Sequence, residues 1–222
     1  DIYDPVVVTD SEGTLLGSVT IKQLLSRATE LEVNAAKSVN PLTLLPGNRM
    51  IEQWLAQALR GESFTVIYAD LDRFKEYNDS YGFLLGDEMI KLEARVLARG
   101  AKNLGCEAFL GHVGGDDMII VAHGELEEDA IAGICEDFDR EKREFFRPEH
   151  LSAGYYPSVD RQGAAVQIKP VTLSLAVVGT ANLGVTPHPA FLAQVAASIK
   201  KKVKCITAET GRSFFFFDRR SH

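Results

Sequence analysis

Three aspartates carry the first chemical signal in this chain. Asp70 and Asp72 close an apolar run, Phe64–Asp72. Residues two apart on a strand point to one face, so their carboxylates are expected side by side. A third, Asp116, lies in Gly114-Gly115-Asp116-Asp117, a tight turn between two apolar runs at 109–113 and 118–122. The paired glycines let backbone approach a ligand closely. Carboxylates gathered at one sheet edge suit Mg2+, which binds a few of them and completes its shell with waters and substrate phosphates. Ions held this way activate the attacking oxygen and stabilise the leaving one in phosphoryl transfer. Taken singly, Asp-x-Asp is also an ordinary solvated strand end, and Gly-Gly-Asp-Asp an ordinary hairpin turn. Their pairing in one domain is what points to a metal site.

The elements that must position these acids are legible in the apolar spacing. Residues 5–20 read as a hairpin around Asp10-Ser11-Glu12-Gly13, followed by a helix with Leu24, Leu25, Ala28 and Leu31 inward. Two strands and a helix are too little for a core, so this piece is expected to lean on something else. Two prolines and a glycine in 40–48 mark a junction. Ile51, Trp54, Leu55, Ala58 and Leu59 then give a helix capped by Asn48 and Gly61. After the 64–72 strand, a helix is expected to start at Asp87, with Met89, Leu92, Val96 and Leu97 inward. Ile131, Ile134, Cys135 and Phe138 mark another, ended by Pro148. Residues 146–167 are turn-rich, with a hairpin tip at 160–163. A strand at 171–178 follows, then a long helix through Leu192, Val195, Ile199 and Val203. The last strand, 213–217, reads as buried, because Phe214 to Phe217 are apolar on both faces. This order predicts an α+β fold: a ferredoxin-like mixed sheet flanked by helices.

Composition narrows the function classes. The chain has 222 residues, 45% hydrophobic and 25% charged, which is globular and not disordered. Its net charge of −7 argues against non-specific nucleic-acid binding, which depends on Lys and Arg meeting phosphates. A phosphate ligand must be held locally or through a metal. Cys106, Cys135 and Cys205 are odd in number and far apart, so neither a disulfide framework nor a zinc site is expected, and a reducing, cytoplasmic setting fits. No apolar run reaches the roughly 18–20 residues needed to span a bilayer. The chain begins without Met and reads as a piece of a longer protein.

Asp70-Leu71-Asp72-Arg73-Phe74-Lys75-Glu76-Tyr77-Asn78-Asp79-Ser80-Tyr81-Gly82, followed by Gly86-Asp87, resembles the D-x-D-x-F-K-x-x-N-D-x-x-G … G-D signature of GGDEF domains. Asn40-Pro41-Leu42-Thr43-Leu44-Leu45-Pro46 is similar to that family's opening D-P-L-T-G-L-P, and Gly114-Gly115-Asp116-Asp117-Met118 stands where the family has Gly-Gly-Asp-Glu-Phe. The resemblance covers 40–222 and leaves 1–39 as a separate segment. GGDEF domains are diguanylate cyclases, in which two GTP condense to cyclic di-GMP across a homodimer. By position, the resemblance implies Mg2+ or Mn2+ on Asp70 and Asp116 with the Leu71 carbonyl, and catalysis by Asp70, Asp116 and Asp117. It implies phosphate contacts from the backbone of Asp72 to Lys75, Phe74 included, and from the side chains of Lys75 and Lys202. Asn78 and Asp87 would read the guanine edge. Two of these residues have plain alternatives: Asp87 as a helix N-cap, and Lys202 as part of a solvated Lys200–Lys204 run at a helix C-terminus.

Departures matter too. Asp117 replaces Glu and is one methylene shorter, Met118 replaces Phe, and Asn40 replaces Asp. Many family members carry Arg-x-x-Asp five residues before the signature, where product binds and inhibits. Here Gly105, Cys106, Glu107 and Ala108 stand there, so no arginine would hold an anionic dinucleotide, and inhibition through that site is expected to be absent. Residues 1–39 resemble the closing half of a CBS motif, and the order is similar to bacterial proteins that carry EAL, CBS and GGDEF domains in series. His112 and His123 read as structural. Two functions follow from the resemblance: an active cyclase with reduced rate, or a silent GTP-binding module regulating a tethered EAL phosphodiesterase domain.

Overall fold

The structure is a computed structural model that describes residues 5–37, 39–60, 63–159, 163–180 and 189–218. The chain divides into two compact units, Asp1–Val39 and Asn40–His222. In the first, β1 (Val6–Thr9) and β2 (Leu15–Val19) form an antiparallel hairpin, followed by α1 (Ile21–Lys37). Asp10 makes the turn, its Oδ1 accepting from the amides of Glu12 and Thr14 at 2.9 and 2.8 Å. Val6, Val7, Leu15 and Leu16 are exposed, in keeping with a piece too small to bury its own apolar faces.

The second unit runs α2 (Asn48–Ala58), β3 (Phe64–Asp72), α3 (Phe74–Tyr81), α4 (Phe83–Asn103), β4 (Ala108–Gly114), β5 (Asp117–His123), α5 (Glu128–Glu141), α6 (Pro148–Ala153), β6 (Tyr156–Val159), β7 (Ala165–Ile168), β8 (Thr172–Gly179), α7 (Pro189–Thr210) and β9 (Phe214–Asp218). Its sheet has the order β4-β5-β3-β8-β9, antiparallel except for β8 with β9. The first four strands follow the ferredoxin-like β-α-β-β-α-β path. The mixed α+β fold expected from the sequence is the one observed.

β3 runs through the middle because both its faces are apolar. Ile67, Ala69 and Leu71 pack with Met89, Leu92, Leu97, Ile134 and Phe138 of α4 and α5. Phe64 and Val66 pack on the other face with Ile51 and Leu55 of α2 and Ile199 and Val203 of α7. Each large side chain buried here contributes about 1.5–3 kcal/mol, so the site-bearing strand is clamped between two helical layers.

Several boundaries differ from the sequence expectation. α4 starts at Phe83, not Asp87: Gly82, at φ 85, ends α3 and the next helix begins at once. α2 is preceded by Gly47 as its N-cap, with Asn48 already helical and making no side-chain cap. Its expected terminator Gly61 lies outside the described residues. α5 ends at Glu141, passes through a turn of 3-10 helix (Lys142–Phe145), and Pro148 opens α6 rather than ending a helix, since its missing N–H costs nothing at a first position. β6 and β7 pair as a hairpin, while most of its expected tip, 160–162, lies outside the described residues. β9 is an edge strand, and Phe214 and Phe216 are each 37% exposed, so the buried-strand reading is corrected. Its faces are apolar, but β8 covers only one edge. No helix among the described residues is long and apolar enough to cross a membrane.

Candidate functional site

The β4–β5 hairpin turns on two residues, Gly115 and Asp116, with Gly115 at φ 61. His112 anchors that turn. Its Nε2 donates to the Gly115 carbonyl at 3.0 Å, which leaves Nδ1 to accept from the Thr43 hydroxyl at 2.8 Å. Burial pushes the His112 pKa down, so the ring is neutral, as this pattern requires. Asn40 shapes the segment that carries Thr43: its Oδ1 accepts from the amides of Leu42 and Thr43 at 2.9 and 3.1 Å. An amide oxygen therefore does the local work there, and a carboxylate is not needed.

The hairpin register sets Asp117 directly across from Asp70 on β3. On the other side Asp70 faces Ser174 and Asp72 faces Thr172. Asp70 and Asp72 do share a face, yet their roles separate. Asp72 is buried, and its Oδ2 accepts from the hydroxyls of Thr172 and Ser174 at 2.8 and 2.7 Å. Asp70 instead meets α7. Lys200 Nζ lies 2.9 Å from its Oδ2, and Lys204 Nζ 2.6 Å from its Oδ1. Lys200 also bonds Asp117. Burial by itself would lower the Lys200 pKa, but Asp117 and Asp70 raise it, so the ammonium stays charged.

Asp116 projects from the turn beside this cluster. Burial, reinforced by the charge of Asp70, pushes its pKa up to about 6. It lines a cleft of about 450 Å³ together with Leu71, Phe74, Lys75 and Asn78. Arg73 and Phe83 also line it. Arg73 holds φ 60, a left-handed conformation, between β3 and α3. The N-cap residue of α3 makes no side-chain cap, and Phe74, Lys75 and Glu76 of its first turn line the cleft; first-turn amides lack an intrahelical acceptor, the usual setting for an anion. Two buried polar atoms, Arg73 Nη1 and Asn78 Oδ1, have no protein partner. Asn78 is seated against Gly86: a Cβ at residue 86 would fall 1.8 Å from Oδ1.

The structure does not bring every expected residue here. Asp87 is exposed in α4, past its first turn, and does not line the cleft; its N-cap alternative fails because α4 begins at Phe83. Lys202 sits over the Phe216 ring, 5.5 Å from its centroid. Two residues along a helix turn by about 200°, so Lys202 cannot share the face of Lys200 and Lys204. Lys202 therefore stands on the other side of α7 from the acids. Lys200 and Lys204, one turn apart, are the lysines that reach the acids. Their signal was present in the sequence as an i, i+4 pair on the flank of the Leu192–Val195–Ile199–Val203 face.

Glu93 was not anticipated. It is fully buried on α4, between Leu92 and Ala94, and both carboxyl oxygens lack a partner. Burial, and then the charges of Asp116, Asp70 and Asp117, push its pKa well up, so it is held as the neutral acid. Leaving a buried polar group unpaired costs roughly 1–3 kcal/mol. Glu93→Leu is therefore expected to stabilise the protein by about that amount. A urea-unfolding midpoint no higher than that of the parent would contradict this.

Among the described residues no three carboxylate, imidazole or thiol side chains converge closely enough to hold a metal by themselves. Asp70 and Asp116, two mutually repelling acids, fit a hard cation that keeps water and phosphate ligands. They do not fit a dedicated cage.

Comparison with known proteins is consistent with this geometry. The family model for the diguanylate cyclase GGDEF domain matches residues 38–153, just over half of the chain. An uncharacterized signaling protein of Caulobacter vibrioides is 33% identical over 111 residues, which are 48% of this chain and 13% of that protein. The bifunctional diguanylate cyclase/cyclic di-GMP phosphodiesterase MucR of Pseudomonas aeruginosa is 35% identical over 112 residues, 48% of this chain and 16% of MucR. The chain thus spans less than a fifth of either relative. Among solved structures, the coiled coil and GGDEF domain of DgcB from Caulobacter crescentus, in complex with c-di-GMP, superposes with a TM-score of 0.55 at 18% identity. That match covers 89% of this chain and 94% of the other, and at this identity it speaks to the fold. On the family match, with the Gly-Gly-Asp turn set beside Asp70 as described, this chain belongs to the GGDEF family.

Proposed function

We propose that the unit beginning at Asn40 binds GTP with Mg2+ or Mn2+ and, as a homodimer, condenses two GTP to cyclic di-GMP with release of two pyrophosphates. The observation that carries this is the convergence on one cleft of the uncapped start of α3, the unpartnered polar atoms of Arg73 and Asn78, and Asp116 with a pKa near 6. The α3 amides and Lys75 hold phosphate oxygens. Asn78 hydrogen-bonds the guanine edge. Asp116, half-neutralised near pH 6, accepts the proton of the attacking 3′-hydroxyl. A divalent ion on Asp70, Asp116 and the Leu71 carbonyl would supply charge neutralisation at the phosphates. Lys204 and Lys200 add positive charge on the side of α7.

Incubation of the protein with GTP and Mg2+ is expected to yield cyclic di-GMP, detected by chromatography and mass spectrometry. Product no greater than that of an Asp116→Asn control would sink the cyclase reading.

One observation favours a second reading. Lys200 ties Asp70 to Asp117, which occupies an oxygen the ion needs. A silent module that binds GTP and regulates a tethered EAL phosphodiesterase domain would show GTP binding without turnover. In both readings Asn78→Ala weakens GTP binding. An unaffected affinity would leave only a scaffold role.

A further inference from the structure

Both oxygens of Asp70 face ammonium groups: Lys200 donates a hydrogen bond to Oδ2, and Lys204 ion-pairs with Oδ1 at 2.6 Å without one. Lys200 also holds Asp117, the residue opposite Asp70 across the β3–β5 ladder. Carboxylates placed directly opposite in a ladder repel, and Lys200 lies on both of them. Its side chain is only 20% exposed, so salt screens this contact less than it would a surface pair. α7 presents it rigidly, because Ile199 and Val203 on the same helix are buried against the sheet. A carboxylate oxygen has lone pairs enough for both a divalent ion and an ammonium group, but the two cations oppose each other there. Like charges a few ångströms apart repel strongly in a partly buried site.

We propose that Lys200 is a resident cation that competes with the divalent ion for Asp70 and so couples metal binding to nucleotide binding. Without nucleotide the metal is opposed by an ammonium group and binds weakly. A triphosphate in the cleft offers the lysines a more highly charged acceptor. Drawn towards it, Lys200 releases Asp70, and ion and nucleotide bind together. Lys200 acts here as a positioning residue, through Asp70. The inference rests on the reading that a divalent ion uses Asp70.

The test is a Mn2+ titration of the full chain followed by electron paramagnetic resonance, with and without a non-hydrolysable GTP analogue. In the parent, the analogue is expected to tighten Mn2+ binding at least tenfold. In Lys200→Met, nucleotide-free Mn2+ binding is expected to be at least tenfold tighter than in the parent, and the gain from the analogue to shrink. Lys200→Arg keeps the cation and is expected to behave like the parent. The Lys200→Met protein should also melt at lower temperature in EDTA and recover with Mn2+. If it does not fold, Lys200→Gln serves in its place. Unchanged nucleotide-free Mn2+ affinity in a folded Lys200→Met or Lys200→Gln protein overturns the proposal. Analogue binding is measured separately by fluorescence. Failure of the nucleotide reading would appear there, as an analogue that does not bind the parent, while the metal-only titration still decides the role of Lys200.

Discussion

Replacing Asp116 by Asn is expected to cut cyclic di-GMP formation roughly 10²–10⁴-fold, the range typical for loss of a positioned general base. The same change is expected to make the metal-free protein more stable at neutral pH. In the fold, the Asp116 carboxyl binds its proton more tightly than in the unfolded chain, with a pKa of about 6 against 3.8. Its contribution to stability is therefore greatest below pH 3.8 and is lost as pH rises through about 6. Asn carries no such charge. In EDTA, Asp116→Asn and the parent should unfold alike near pH 4, and the variant should lead by about 1–3 kcal/mol at pH 7. Urea unfolding across that range measures the difference. Equal stability at pH 7 would mean that burial and Asp70 do not strain Asp116, and retained turnover would remove it from the chemistry.

Gly86→Ala should separate binding from stability. Alanine is the better helix former by about 1 kcal/mol, and Gly86 lies inside α4 without a left-handed φ. Folding should therefore be unharmed. The new Cβ would fall 1.8 Å from Asn78 Oδ1 and 2.9 Å from Cγ, so the amide must leave its seat. Losing one hydrogen-bonding group to a ligand costs about 1–3 kcal/mol, and GTP affinity is expected to drop about tenfold or more. Asn78→Ala should cost a similar factor, and the double variant little more than either, since both changes remove the same amide. Full GTP affinity in a folded Gly86→Ala protein would mean that Asn78 does not read the base.

Much of the scaffold around these residues was legible from spacing. The nine-residue run ending in Asp70-Leu71-Asp72 matches β3 residue for residue, because an apolar run bounded by acids leaves few alternatives for a central strand. Met89, Leu92, Val96 and Leu97, and likewise Ile131, Ile134, Cys135 and Phe138, are buried as the helical period required. The Gly-Gly turn also formed where the glycines allow it. The start of α4 was not legible, since Gly86 reads as a breaker unless Asn78 is known to lean on it. Nor was Glu93, a charged residue whose neighbours gave no hint that it would be fully enclosed. The Phe214–Phe217 strand misled in the opposite direction, because composition does not say which strand ends up at the edge.

By itself, the sequence determined which acids share one strand and which acid tops the hairpin turn. These are local matters, governed by periods of two and 3.6 and by glycine. Only the tertiary structure decided the charge balance of the site. The β3–β5 register sets Asp117 against Asp70, and the seating of α7 on the sheet brings Lys200 across 130 residues to bridge them while turning Lys202 away. Register and helix rotation are fixed by the packing of the two apolar faces of the sheet, so a cation contributed from so far along the chain has no local signature.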